Sequence, residues 1–460
     1  MDNPGRGHSA EGAGGGAAAR AEILGFGHDQ ARWMRLDVAG ILTRYFFLEE
    51  ALARSVSGWI PALRRIESKA ALAKVVWQDV LAAEALRNRV FELRYPSRLM
   101  REGADASLIA LFRAVVNAPS ALGLLRAVQK VLNPALVAAY REYLSASDAL
   151  ADGPTYRFMR VVVDDKEEQC RTLESVLHDE PAPTADEQQA AERFVGAVGA
   201  LLKRAGGLSL GRPETRVEVP AVVEPGRLFA LAEDPGRDDA YRLCSYYWPD
   251  VVDPSYPYGE GVALQIRSAV SHLNEVWAVD TAAAILHGLA AELGWGFVAD
   301  AGRWLYDESR HMTMGQRRLD RWGMARGDVP LGDYIYLASR DQDLIYRLGM
   351  LGYFETKNIG KKQVRAQAFQ EMGDRTSQMD MDFDWADETL HAEYGRRWLR
   401  RLLAVRGGSE EDWPQVLERC EQLVADRVGQ ATDADRTAIR EIAERLLDDA
   451  RRAVGVAGSG

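Results

Sequence analysis

One short motif occurs twice in the last two-fifths of this 460-residue chain and limits the folds open to it. Residues 307–311 read Asp-Glu-Ser-Arg-His, and residues 387–391 read Asp-Glu-Thr-Leu-His. In a helix, a step of three residues returns to the same face, so the glutamate and the histidine of each copy point at a common partner. The motif therefore predicts two helices that each present an acid and an imidazole side by side.

Each copy has a further glutamate at the same distance before it. Glu275 lies 33 positions before Glu308, and Glu355 lies 33 positions before Glu388. That separation is typical of half a helix, a turn and half of an antiparallel return helix, so each lone glutamate should reach the height of the motif that follows it. Six side chains are predicted to converge: Glu275, Glu308, His311, Glu355, Glu388 and His391.

The charge of this predicted cluster points to metal ions. Four carboxylates facing one another inside an apolar bundle would bring four uncompensated negative charges, at a cost greater than packing can offset. Two divalent cations cancel that charge, and carboxylates with one imidazole per metal suit iron or manganese. We therefore predict that the six residues bind two metal ions, either two iron ions or two manganese ions.

A single glutamate three positions before a histidine has a more ordinary interpretation. The chain has 7 histidines, so such a pair arises by chance and then forms a solvated pair on a helix surface. Two copies with the same flanking acids favour metal binding instead. Asp280 is a weaker alternative ligand for the first helix, because it breaks the equal spacing.

The doubled pattern resembles the ferritin-like di-iron carboxylate superfamily, of the non-haem di-iron oxidase and oxygenase type, over roughly residues 260–405. In that family one glutamate from each of two helices and Glu-x-x-His from each of the other two bind the metals. The resemblance implies an all-α fold with a ferritin-like four-helix bundle. It also implies that Asp307 and Asp387 orient the histidines of the opposite copy, with Asp387 near His311 and Asp307 near His391.

Apolar spacing organises the chain into five segments. A disordered tail is expected over 1–28, an N-terminal helical bundle over 29–178, a linker with one short edge strand at 217–223 over 179–235, the di-metal bundle over 236–408, and a helical hairpin and tail over 409–460. In the di-metal bundle the predicted helices are 261–293, 297–322, 332–369 and 385–403, with a break over 373–384.

The N-terminal bundle, with helices predicted over 41–59, 70–93, 108–132 and 154–177, has no metal motif in its sequence. Asp79 is followed three positions later by Ala82, and Glu84 by Arg87, where a histidine would be needed. This half is predicted as a degenerate ferritin-like copy without a metal, or as a bundle whose charges form ion pairs and solvated faces. A degenerate copy would serve as a packing surface, as part of a substrate channel or as the contact of a homodimer.

The composition of the chain limits the kinds of partner and the cellular location that are expected for it. The net charge of −11 and the pI of about 5.4 argue against a broad nucleic-acid surface, which needs a basic face. Cys170, Cys244 and Cys420 match no zinc or redox spacing, which favours a reduced, cytoplasmic location. No apolar run of membrane-spanning length is expected, and no membrane partner is predicted.

The predicted function is that of a non-haem di-iron oxygenase or oxidase that uses dioxygen to oxidise a small organic molecule in specialised metabolism. An external electron donor is expected, and no catalytic residue is predicted beyond the metal ligands. A substrate cavity is expected beside Ala282 to Ala284, and the aromatic stretch 246–258 either caps the bundle or covers the mouth of the site. The alternatives are a ferroxidase or other iron-handling ferritin-like protein, and a metal-free helical interaction protein.

Overall fold

The described part of the chain, in a computed structural model, comprises residues 32–210, 219 and 228–457 and consists mostly of helices. The predicted all-α fold class is confirmed, since the strands among these residues are β1 (Arg242–Leu243) and β2 (Pro330–Leu331), a parallel pair. The tail predicted over 1–28 and most of the edge strand predicted at 217–223 lie outside the described residues.

Seven α-helices make up the described part of the N-terminal half. They are α1 (Arg35–Trp59), α2 (Ile66–Leu93), α3 (Ala106–Ala114), α4 (Ala121–Ala127), α5 (Asn133–Ala146), α6 (Gly153–Asp179) and α7 (Ala185–Arg204). The single helix predicted over 108–132 is wrong, because Pro119 lies between α3 and α4. The structure also adds α5, which carries Pro134 in its first turn, where a missing N–H costs nothing.

The C-terminal half carries the repeated motif. Its helices are α8 (Pro249–Val252), α9 (Val262–Leu273), α10 (Val276–Leu293), α11 (Trp295–Arg321), α12 (Tyr334–Ala338), α13 (Leu344–Glu371), α14 (Arg375–Val405), α15 (Trp413–Gly429) and α16 (Asp433–Ala457). The last two are the two helices of the predicted hairpin, but they pack chiefly on other helices, α15 on α13 and α16 on α9, rather than on each other. Thr432 and Asp435 begin α16, since the side chain of each accepts a hydrogen bond from the other's backbone N–H.

The helix predicted over 261–293 is two helices, because the chain breaks at Asn274 and Glu275. The Asn274 amide donates to the carbonyl oxygens of Val270 (2.8 Å) and Pro330 (3.0 Å) and accepts from the N–H of Gly332 (2.7 Å). These bonds tie the break to β2. They also place Glu275 directly before α10, at a bend rather than in the middle of a helix.

One stretch of the described residues, Val262–Leu293, is long and apolar enough by length and composition to cross a membrane, with a mean hydropathy of 1.3 over its most apolar window. This finding corrects the expectation that no run reaches that length. The window is 72% buried inside the protein, so packing accounts for its apolar character.

The fourth predicted helix begins earlier than expected. The break predicted over 373–384 is confined to residues 372–374, and α14 starts at Arg375. Asp380 and Asp384, which are typical of a loop in sequence, are buried and bound by arginine, lysine and histidine side chains of other helices. The third predicted helix, 332–369, is interrupted between α12 and α13.

Two helical hairpins surround the repeated motif. α9 and α10 pack along α11 with a reversal at Gly294, and α13 packs along α14. The second hairpin is tight because a Cβ on Gly395 would lie only 2.8 Å from the Cα of Gly352. α1 packs on α10 and α2 on α11, so one continuous apolar core joins the two halves of the described chain.

Candidate metal centre

The helices α10, α11, α13 and α14 bring six side chains together. Glu275 precedes α10, Glu308 and His311 lie on α11, Glu355 lies on α13, and Glu388 and His391 lie on α14. All six are buried, except that the side chain of Glu275 keeps 15% of its surface exposed. The structure therefore places every ligand proposed from the sequence in one cluster.

The cluster has two sides that share members. One side groups Glu308, Glu355, Glu388 and His391, each of which offers a ligand atom within 4.8 Å of the others. The other side consists of two groups that both contain His311, and the ligand atoms of each group also lie within 4.8 Å of one another. One group adds Glu275 and Glu308, and the other adds Asp384 and Glu388. Glu308 and Glu388 belong to both sides.

Each histidine turns one nitrogen toward the cluster. His391 Nδ1 lies 3.3 Å from Glu308 and 3.7 Å from Glu355. His311 Nδ1 lies 3.6 Å from Glu275 and 3.7 Å from Glu308. Neither buried Nδ1 has a hydrogen-bond partner. A buried ring nitrogen without a hydrogen-bond partner is costly, and a metal ion would satisfy it.

The outer nitrogens of the histidines face aspartates of the opposite motif. His311 Nε2 lies 3.3 Å from Asp387, and His391 Nε2 lies 3.3 Å from Asp307. An Nε2–H that donates to a carboxylate leaves the lone pair on Nδ1, which is the tautomer that a metal requires. The crossed contacts therefore fix both imidazoles in an orientation suited to metal binding.

Two arginines of α11 bind these aspartates from outside. Arg303 lies 2.6 Å from Asp307 and 3.1 Å from Asp387, and Arg310 lies 2.7 Å and 3.0 Å from the same pair. Although burial opposes ionisation, the hydrogen bond and charge of His311 and the charge of Arg310 lower the pKa of Asp387. Asp387 therefore stays ionised, and both aspartates hold the histidines of the opposite motif.

Sequence reasoning missed Asp384 and Lys362, which extend the cluster. Lys362 Nζ lies 2.6 Å from Asp384, 3.5 Å from Glu388 and 3.7 Å from Glu275. Asp384 also approaches His311 Nδ1 at 3.6 Å. The sequence does indicate Asp384 as a candidate ligand, since it lies four positions before Glu388 and would share its helical face. The predicted break over 373–384 concealed it.

His272 connects Asp384 to a further positively charged side chain, that of Arg318. Its Nε2 lies 2.9 Å from Asp384, and its Nδ1 accepts a hydrogen bond of 2.7 Å from Arg318. Burial and the charge of Arg318 lower the pKa of His272 to about 3. The ring is therefore neutral and positions Asp384 by donating from Nε2.

The balance of charge leaves an excess on the glutamates. The three aspartates of the cluster are matched by Lys362, Arg303 and Arg310. Four glutamates then remain, and the positive groups beside them in the metal-free chain are Lys362, which Asp384 already binds, and the two histidines, whose pKa values their carboxylate neighbours raise. Two divalent ions carry the charge that would offset them.

Mutual repulsion shows in the pKa values of the cluster. Burial, with the negative neighbours Glu388 and Glu308, raises the pKa of Glu355 well above its usual value. Burial likewise raises the pKa of Glu275 to about 8. Against burial, the neighbouring carboxylates of Asp307 and Glu308 raise the pKa of His391 to about 10. Glu355 and Glu275 are therefore carboxylates that a cation would stabilise in the ionised form.

A cavity of about 730 Å³ reaches the cluster, and its lining includes the four glutamates together with Tyr247 and Tyr258 of the aromatic stretch 246–258. The position of this stretch fits a cover for the mouth of the site. Ala282 to Ala284 are fully buried and do not line the cavity, so the predicted cavity position is wrong. Asp280, the weaker alternative ligand, instead binds Lys69 and Arg237, at 2.6 Å each.

A second buried polar cluster lies in the N-terminal half. Lys166 Nζ lies 2.6 Å from Glu49 and 2.7 Å from Asp79. Gln169 donates to Asp79 at 2.6 Å, and the Tyr140 hydroxyl donates to Glu49. The groups of described residues with metal-ligand geometry all lie in the C-terminal half. Here an ammonium group stands between the carboxylates.

The C-terminal half is similar to a known family. A family model described as a protein of unknown function (DUF455) matches residues 248–438, a stretch that contains the whole C-terminal cluster. No curated protein and no solved structure matched the chain. The geometry of the site is therefore what indicates a function for this chain.

Proposed function

We propose that α10, α11, α13 and α14 form a ferritin-like four-helix bundle that binds two metal ions, iron or alternatively manganese. The observation that carries this proposal is the pair of buried Nδ1 atoms of His311 and His391. Each lacks a hydrogen-bond partner and lies 3.3–3.7 Å from glutamate oxygens. Their Nε2 atoms face aspartates, as in metal-bound imidazoles.

The grouping of the side chains suggests which residues would hold each ion. Glu355 and His391 would hold one ion and Glu275 and His311 the other, with Glu308 and Glu388 between them. Asp384 is a further candidate ligand on the His311 side. Oxygen-rich donors with one imidazole per ion suit iron or manganese better than zinc.

We further propose that the protein is a non-haem di-iron oxygenase or oxidase that oxidises a small organic molecule with dioxygen. When bound, a pair of ferrous ions supplies the electrons that reduce dioxygen. The chain itself holds the ligands and limits water at their inner side. Trp304 serves this second purpose, since its indole N–H donates to Glu308 (3.0 Å) and Glu355 (3.3 Å) and its ring stacks on His391.

The volume and the lining of the cavity favour an organic molecule as the substrate. Its volume of about 730 Å³ is ordinary for a small-molecule site, and the rings of Tyr247, Tyr258 and Tyr334 line it. Arginine and lysine side chains also line it, and these would repel an incoming metal cation. A ferroxidase and a metal-free interaction protein are the alternatives that the following experiments separate.

Metal analysis tests the dinuclear centre. The full chain, loaded with ferrous iron in the absence of oxygen and then desalted, should retain about two irons per chain. Glu388→Gln should retain about one or fewer, because it removes a ligand that both ions would share. Glu393→Gln, on the exposed side of the same helix, should load like the parent. Less than one iron per parent chain would favour the metal-free alternative.

Oxygen consumption tests the reaction class. The iron-loaded protein should consume oxygen faster with a reductant and an organic substrate than with ferrous iron alone. Mass spectrometry of candidate compounds should then show a gain of oxygen or a loss of hydrogen. Rapid turnover of ferrous iron, unaffected by any organic compound, would favour the ferroxidase.

A further inference from the structure

The outer part of the cavity carries positive charge. Arg267 of α9 and Lys361 and Arg365 of α13 line it, together with Asp250 and Glu260. Positive groups therefore exceed negative ones by one in this part of the lining. The glutamates at the metal centre line the other part, so the cavity has one acidic end and one basic end.

Arg267 is the central group of the basic end. Only 6% of its surface is exposed, and Asp250 binds it through Nε (3.2 Å) and Nη2 (3.0 Å). The rings of Tyr247 and Tyr258 lie 5.3 Å and 4.8 Å from the guanidinium carbon. Its Nη1 is buried and has no hydrogen-bond partner. A buried guanidinium N–H without an acceptor is costly, and an anionic ligand would supply the acceptor.

The neighbours of Arg267 suit the same ligand. The hydroxyl of Tyr258 is also buried without a hydrogen-bond partner, and Arg365 lies 4.4 Å over its ring. Lys361 precedes Arg365 by four positions and shares its helical face. Two free donors and two further cations therefore surround one part of the cavity.

The distance to the metal centre sets the size of such a ligand. Arg267 lies eight positions before Glu275, with Ser271 between them in the cavity lining, and the helical part of this stretch, Arg267 to Leu273, rises about 9 Å before the bend. The rings of Trp277, Phe354 and Tyr334 line the cavity as well. A ligand held at Arg267 would need an apolar body to reach the glutamates.

We propose that the cavity binds an organic acid, whose carboxylate accepts hydrogen bonds from Arg267 and Tyr258 and whose apolar body extends toward the metal centre. Lys361 and Arg365 add positive potential at the mouth. The identification of this acid as the substrate rests on the proposed function, whereas its binding does not require the reaction.

Calorimetric titration of the full chain with three matched probes tests the proposal. The probes are 4-phenylbutyrate, 4-phenylbutanol and 4-phenylbutylammonium, which share one body and differ in head group. The carboxylate should bind at least about tenfold more tightly than the alcohol, and the ammonium most weakly, in both metal-free and manganese-loaded protein. Equal affinities, or a preference for the ammonium, would overturn the proposal.

Variants locate the head group. Arg267→Met should abolish the preference for the carboxylate, and Lys361→Met should reduce it several-fold without changing affinity for the alcohol. Lys357→Met removes a charge from the same helix outside the cavity lining and should leave all three affinities unchanged. A preference that needs manganese and survives both Arg267→Met and Lys361→Met would place the carboxylate on the metal and end the proposal. Acid binding in a chain that retains no iron would uphold this inference and refute the proposed function alone.

Discussion

The two halves of the molecule each bury a polar cluster between helices, and the clusters are built alike. The N-terminal one has Glu49 on α1 and Asp79 on α2, and the C-terminal one has Glu275 before α10 and Glu308 on α11. A three-residue step completes each cluster, Lys166 with Gln169 on α6 and Glu388 with His391 on α14. The two clusters are therefore similar in the helices that carry their side chains, but they differ in their balance of charge.

The difference lies in how much negative charge the protein itself offsets. In the N-terminal cluster Lys166 lies within 2.7 Å of both carboxylates, so two acids share one ammonium group. In the C-terminal cluster Lys362 lies closest to Asp384, at 2.6 Å, and offsets chiefly the charge of that aspartate. The four glutamates therefore carry negative charge that Lys362 does not offset. Buried acids alone therefore do not indicate a metal site; buried acids in excess of their cations do.

The largest expected effect is the removal of the N-terminal ammonium group. Lys166→Met should lower the free energy of unfolding by about 3–5 kcal/mol, because it leaves Glu49 and Asp79 buried without their cation. Denaturant unfolding followed by circular dichroism measures this loss. Adding Glu49→Gln and Asp79→Asn should recover most of it, and the folded fraction should still bind iron. A loss below about 1 kcal/mol would remove the basis of the comparison.

Metal ions should stabilise the C-terminal cluster by offsetting the charge of its carboxylates, as Lys166 does in the N-terminal cluster. Ferrous iron or manganese at 100 times its dissociation constant should stabilise the protein by about 2.7 kcal/mol, and a chelator should reverse the effect. The rise in Tm on metal addition measures it. Glu388→Gln should lose most of this rise, whereas Lys166→Met should keep it. A metal-induced rise of equal size in Glu388→Gln would assign the binding to another place.

The close approach of α13 and α14 should also matter for the metal. Gly395→Ala should cost about 1–3 kcal/mol and reduce iron retention, because its Cβ would push against Gly352 beside the ligands of both helices. Gly360→Ala is the control, since a Cβ there meets nothing within 4 Å, and it should stabilise α13 by about 0.5–1 kcal/mol. Thermal melts and iron analysis compare the two. Unchanged iron retention in Gly395→Ala would show that the hairpin tolerates a wider spacing.

The smallest effect should separate the two clusters by its size. In metal-free protein at pH 8, Glu355→Gln should stabilise by about 1 kcal/mol or more, because burial and its neighbours raise the pKa of Glu355 above the value near 4.5 of an unfolded glutamate. The cost of ionising Glu355 is absent below pH 4.5 and grows as pH rises, so the gain should vanish in acid. Burial raises the pKa of Glu49 as well, to about 7, so Glu49→Gln should also stabilise at pH 8, but by less, because Lys166 offsets part of the cost of ionisation. Unfolding curves across pH test both, and destabilisation by Glu355→Gln at pH 8 would contradict the repulsion described here.

Much of the site could be predicted from local spacing. The three-residue step from Glu308 to His311 and the separation of Glu275 from Glu308 depend only on helix geometry, and the structure brings these groups together. The crossed contacts of Asp307 and Asp387 with the histidines came from the resemblance to di-iron proteins.

Other features could not be predicted because they depend on which helices become neighbours. The acidic run before residue 385 is typical of a loop until Arg318 and Lys362 from other helices bind its aspartates. The break at Asn274 likewise depends on Pro330 and Gly332, more than fifty positions away. A pattern along the chain does not report such partners.

The sequence by itself determined the six candidate ligands and the helical class, because both follow from periodicity within single helices. Only the tertiary structure decided how many charges those ligands keep, where the cavity lies and which end of it is basic. Those properties arise where side chains from distant segments meet, and electrostatic energy depends on their separation in space rather than along the chain.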